Sequence, residues 1–156
     1  MRTTLFLRIA SAITFIHAVL HTIGGVFGKT APGAATVAVQ AMKVNQFPLM
    51  GNTRSYWDFY FGLGLAVTIF LTAEAVVFWQ LASLAKTDAA RLRPVIATFL
   101  FAYVVFAVDS QAFFFIGPVV TEILIAACLV AAFLAAKPRV GESVRHAEFS
   151  NAPRTL

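Results

Sequence analysis

The sequence predicts an all-α fold, an integral membrane bundle of four transmembrane helices. Three observations predict it. Of 156 residues, 60% are hydrophobic and only 12% are charged, too little charge to cover the surface of a soluble domain this small. The mean hydropathy is +0.82. The apolar residues also gather into runs of about 20, the length that crosses a ~30 Å hydrocarbon core at ~1.5 Å per residue.

The first run covers residues 5–27 and ends at Gly28-Lys29. A signal peptide would also begin with a basic residue and an apolar stretch. This run is longer than a usual signal core, carries Arg8, His17 and His21, and shows no small-x-small cleavage pattern, so it reads as a retained helix. The second run covers 56–81 and the third 94–116, opened by Arg91, Arg93 and Pro94, with proline tolerated in a first helical turn. The fourth covers 118–136 and ends at Lys137-Pro138. Gly117-Pro118 is expected to divide the third from the fourth, because one helix over both would be about twice a bilayer thickness. Residues 1–137 thus read as a single transmembrane domain, followed by a polar tail over 138–156.

Between the first two spans lies the longest connection. Residues 34–44 read as a small amphipathic helix with Lys43 near its end, placed at the membrane interface. Phe47-Pro48-Leu49-Met50-Gly51-Asn52 reads as a turn-rich approach to the second span.

Basic residues orient such a chain. With four spans, nine Lys and Arg residues fall on the side of the termini and three (Lys29, Lys43, Arg54) on the other. This predicts both termini in the cytoplasm and a multi-pass protein of the inner (plasma) membrane. The net charge of +5 carries no sign of nucleic-acid binding, since the cations flank apolar runs and no basic stripe interleaves with aromatics. Cys128 is the single cysteine, without a partner for a disulfide or a cysteine metal motif.

Four of the seven acidic residues (Asp58, Glu74, Asp109 and Glu122) lie in or beside apolar runs, as do His17 and His21. Ionisable groups in hydrocarbon are costly and mark function or specific pairing. The alternating directions of the spans place His17, His21, Asp58, Asp109 and Glu122 at similar depths, in the outer half. His17 and His21 share a helix face by their i, i+4 spacing, together with Ala10, Thr14, Gly24 and Gly28. That small and polar stripe is what a membrane helix presents to its neighbours. Glu74, nearer the inner end, is a structural partner for Arg8.

The candidate catalytic residues are His17, His21, Asp109 and Glu122, and the candidate ligand-binding residues are Arg54, Trp57, Asp58 and Tyr60. Several chemistries fit them. A His–carboxylate set in a desolvated pocket can move a proton on an apolar substrate. A buried acid can couple transport to protons. Two histidines with carboxylates can ligate zinc or iron, but HxxxH alone is a weak motif, with neither HExxH nor ExxH present, so no metal or cofactor is assigned. The same groups can also form a structural polar core in an assembly subunit. Ser55 or Thr53 can cap the second span with Asp58 at its N-terminal dipole, and Trp57 and Tyr60 are ordinary interfacial anchors.

His17 and His21 with Gly24-Gly25, and the segment Arg54 to Gly64 opening the second span, resemble the bacterial DoxX-like membrane proteins and the wider EXPERA kind. The resemblance covers helix number and hydropathy over residues 5–136. It implies a pocket for a lipophilic small molecule entering from the bilayer. The partners expected are therefore the lipid bilayer, a small lipophilic ligand and, for a carrier, further copies of the chain.

Overall fold

A computed structural model describes residues 2–137; the expected cytoplasmic tail lies outside the described residues. The chain is mostly helical. Helix α1 spans Arg2–Leu20 and continues as a π-helical turn, His21–Val26. Then follow α2 (Ala34–Val44), the strands β1 (Gln46–Leu49) and β2 (Asn52–Ser55), and α3 (Tyr56–Asp88). A 3-10 turn over Ala90–Leu92 leads into α4 (Arg93–Phe113), and α5 covers Ile116–Ala135. Four segments are long and apolar enough to cross a membrane: Arg2–Val26, Tyr56–Asp88, Ala90–Phe113 and Ile116–Ala135. Many of their large apolar side chains point outward, among them Leu63, Phe70, Phe101 and Val108, more than burial in a water-soluble chain of this size would leave.

Three boundaries differ from the sequence reading. The break between the last two helices falls at Phe114-Phe115, not at Gly117-Pro118, which lies in the first turn of α5. A first turn has no intrahelical acceptors for its N–H groups, so Pro118 loses no hydrogen bond there. Helix α3 runs seven residues past the apolar run, to Asp88, because Ala82 to Lys86 are good helix formers with no breaker among them. The approach to α3 is also a β-hairpin rather than irregular turn. Its strands pair antiparallel, Gln46 opposite Ser55 and Leu49 opposite Asn52. Met50 and Gly51 close it with φ of 47° and 80°, the two positive values that a type I′ hairpin turn requires. The fold is thus helical with one short two-stranded element, not purely α.

Contacts gather residues 2–137 into two compact units, one of residues 11–77 and the other of residues 2–10 with 78–137. In the first, the part of α1 from Ser11 onward and the part of α3 up to Val77 run antiparallel. Ser11 Oγ donates to the Ala75 carbonyl at 2.7 Å, Thr22 and Thr68 hydroxyls meet at 3.0 Å, and Phe27 packs edge-on to Phe61 at 5.8 Å. Small and hydroxyl residues let helices approach in this way. Gly64 belongs to the same seam: a Cβ there would stand 3.2 Å from the Val26 side chain.

In the second unit α4 and α5 form an antiparallel hairpin. Buried α4 residues recur every seven positions, at Ile96, Tyr103 and Ser110. On α5 the buried Glu122, Ile125, Leu129 and Ala132 alternate three and four apart. This is the 3.5-residue period of coiled-coil packing. Phe78 is fully buried against Phe99 at 5.0 Å and Tyr103 at 6.1 Å. The open end of the hairpin is held by Arg93, whose guanidinium lies 4.2 Å over the Phe133 ring and reaches the Ala136 carbonyl at 3.4 Å. A cation there also opposes the negative end of the α5 dipole.

Candidate functional site

Residues 43–61 form the densest cluster of polar and aromatic groups. The start of α3 is fixed by a reciprocal cap. Asp58 Oδ2 accepts from the Ser55 backbone N–H at 2.7 Å and from its hydroxyl at 3.0 Å, while the Asp58 N–H donates to Ser55 Oγ at 3.3 Å. This is the capping-box arrangement with Ser55 as cap. The hairpin rests on the helix it introduces. Phe47 packs against Tyr56 at 5.1 Å and stacks with Phe59 at 6.1 Å. From α2, the Lys43 ammonium lies 4.5 Å over the Trp57 ring, and Trp57 continues into Tyr60 and Phe61 at 5.5 and 6.3 Å.

Between hairpin and helix lies an open surface cavity of about 310 Å³, lined by the exposed residues Leu49, Met50, Asn52, Arg54, Asp58 and Phe59. Arg54 and Asp58 of the expected ligand-binding set line it. Trp57 and Tyr60 do not; they belong to the adjoining aromatic row. Asn52 and Phe59 flank Arg54 and Asp58 in sequence, while Leu49 and Met50 belong to the stretch that reads as a turn-rich approach. Their signal was the alternation of Phe47 and Leu49 up to Met50-Gly51, obscured by Pro48. Proline suits this ribbon, where an open edge leaves its missing N–H without consequence.

No family model, curated protein or solved structure matches this chain.

The histidines lie in the same unit. Both are half-buried. His21 Nε2 sits 3.1 Å from the Gly64 carbonyl oxygen. A carbonyl only accepts, so Nε2 carries the proton, and in the neutral ring Nδ1 holds the lone pair. That Nδ1 faces Gly25, where a Cβ would come within 3.3 Å. The expected small and polar stripe holds only in part: Ala10 and Thr14 are buried, whereas Gly24 and Gly28 are exposed. The π-helical turn beginning at His21 adds residues per turn and rotates the face beyond it. Gly28 follows this turn closely, and a Cβ there would collide with the Gly24 carbonyl oxygen.

Asp109 and Glu122 belong to the other unit. Glu122 is buried at 6% exposure, with Oε1 accepting from Ser110 Oγ at 2.8 Å and Oε2 buried without a hydrogen-bond partner. Asp109 is exposed, and its neighbour Ser110 takes the inward position. Charge drew attention to Asp109, whereas the seven-residue spacing from Ile96 and Tyr103 marks Ser110. The Arg8 guanidinium lies 4.8 Å over the Trp79 ring. Among the described residues, no three His, Cys, Asp or Glu side chains gather as a metal-ligand set.

Proposed function

We propose that the chain is a multi-pass protein of the inner membrane, with both termini cytoplasmic, that binds a small lipophilic molecule at the outer end of α3. The cavity of about 310 Å³ carries this reading, because it joins apolar walls at Leu49, Met50 and Phe59 to polar ones at Asn52, Arg54 and Asp58. Ligand sites typically combine an apolar lining with a few convergent polar groups. The mouth of an apolar helix is where a molecule partitioned into the bilayer would meet them. The DoxX-like and EXPERA-like resemblance agrees with a lipophilic ligand.

Native mass spectrometry of the detergent-purified protein, paired with elemental analysis, tests the reading. A retained apolar molecule, lost on Phe59→Ala, is the expected result. Stoichiometric zinc or iron, or a protein that binds no added lipophile, overturns it.

A second reading rests on Glu122. A carboxyl buried in an apolar helix pair with one oxygen unpartnered suits a proton-coupled carrier. That reading expects pH-dependent transport by reconstituted protein, abolished in Glu122→Gln.

A further inference from the structure

The walls of the cavity carry one cation and one anion. Arg54 donates one guanidinium N–H to its neighbour, the Thr53 carbonyl, at 2.9 Å. A guanidinium has five such donors, so others remain for an acceptor in the cavity. Asp58 turns Oδ2 to Ser55, which leaves Oδ1 for a donor. The two charges thus line one opening while each bonds elsewhere. Both side chains are exposed, so neither charge needs a ligand; a zwitterion would bond to both, a neutral lipophile would use neither, and an anion would meet Asp58 as well as Arg54.

The apolar part of the site continues beyond the cavity. Phe59, in the cavity wall, begins an exposed row with Leu63, Val67 and Phe70. Steps of four, four and three keep these on one helix face, over about 17 Å. At the other side of the cavity stands Met50, 96% exposed, at the position whose φ of 47° disfavours any side chain with a Cβ. Glycine or asparagine would suit the turn better. A strained residue with a long apolar side chain at a cavity rim points to a contact outside the chain.

We infer that this cavity takes the zwitterionic headgroup of a glycerophospholipid, phosphate toward Arg54 and ammonium toward Asp58, with an acyl chain along the Phe59–Phe70 row. The inference rests on the lipophilic-pocket reading above and names its ligand class. A soluble zwitterion would satisfy the charges but make no use of the row.

The test is a native mass-spectrometric titration of the delipidated full chain in detergent. The additives are an equimolar mixture of phosphatidylethanolamine, phosphatidylglycerol and diacylglycerol, with phosphoethanolamine as soluble competitor. Phosphatidylethanolamine should exceed both other lipids about fivefold, the upper range for exposed charge pairs. Arg54→Gln should bring it down to diacylglycerol. Asp58→Asn, which keeps an acceptor for Ser55, should bring phosphatidylglycerol up to it. Equal occupancy by all three lipids in the unmodified protein overturns the zwitterion inference and leaves the lipophilic pocket standing. Displacement by phosphoethanolamine at lipid concentrations overturns the acyl contact. Binding of no lipid at all overturns both readings.

Discussion

Ser110 and Glu122 join α4 to α5 by a side-chain hydrogen bond of 2.8 Å, with the second carboxyl oxygen of Glu122 buried and unpartnered. Removing the donor and removing the acceptor should therefore differ. Ser110→Ala leaves a buried oxygen without its bond and should cost about 1–3 kcal/mol. Glu122→Gln keeps an acceptor and should cost under about 1 kcal/mol. The double change Ser110→Ala with Glu122→Leu removes both polar groups and should recover most of the loss. Thermal unfolding in detergent, followed by helicity, reads all three.

Ser55 and Asp58 cap one another at the start of α3. Ser55→Ala should cost about 1 kcal/mol, and amide exchange should quicken first over the opening turn of α3. Asp58→Asn should leave that exchange nearly unchanged. If Asp58→Asn frays the turn as much as Ser55→Ala, the charge, not the hydrogen bonds, is holding it.

Met50→Gly should relieve the positive-φ residue of the hairpin turn and stabilise it by about 1 kcal/mol. The same change removes an apolar wall of the cavity, so lipophile retention should fall while stability rises. Opposite signs in the two measurements are the expected outcome. A fall in both would show that the thioether serves the fold.

Gly28→Ala should disturb the end of the first span, since the new Cβ meets backbone, the Gly24 carbonyl, rather than a side chain that can swing away. Gly24→Ala, with nothing within 4 Å of the added carbon, is the control and should be near neutral. Cysteine-accessibility scanning over residues 21–29 would show the local change.

Much of the fold could be read from residues alone. Four apolar runs marked four long helices, and the mildly amphipathic stretch at 34–44 marked α2 to the residue. What escaped had physical causes. The hairpin escaped because its turn uses Met50, a poor residue for positive φ, and because Pro48 reads as a break. The π-helical turn escaped because no side-chain pattern announces one extra residue per turn. Of the charged candidates, Arg54 and Asp58 line the cavity, whereas Asp109 is exposed and its uncharged neighbour Ser110 faces the seam. Hydroxyls and backbone carbonyls do much of the bonding in these helices: Ser110 to Glu122, Thr22 to Thr68, His21 to Gly64. Apart from Ser110, which shares the seven-residue spacing of Ile96 and Tyr103, such hydroxyls and carbonyls have no charge or apolar period to mark them, so they emerge only once the helices are placed.

Only Phe114 and Phe115 separate α4 from α5. So short a link makes the pairing of these two helices local in sequence, with Ser110 and Glu122 only twelve residues apart. Local contacts cost little loop-closure entropy and form early, so this hairpin is expected to zip as one unit from the Phe114-Phe115 turn toward Arg93 and Ala136.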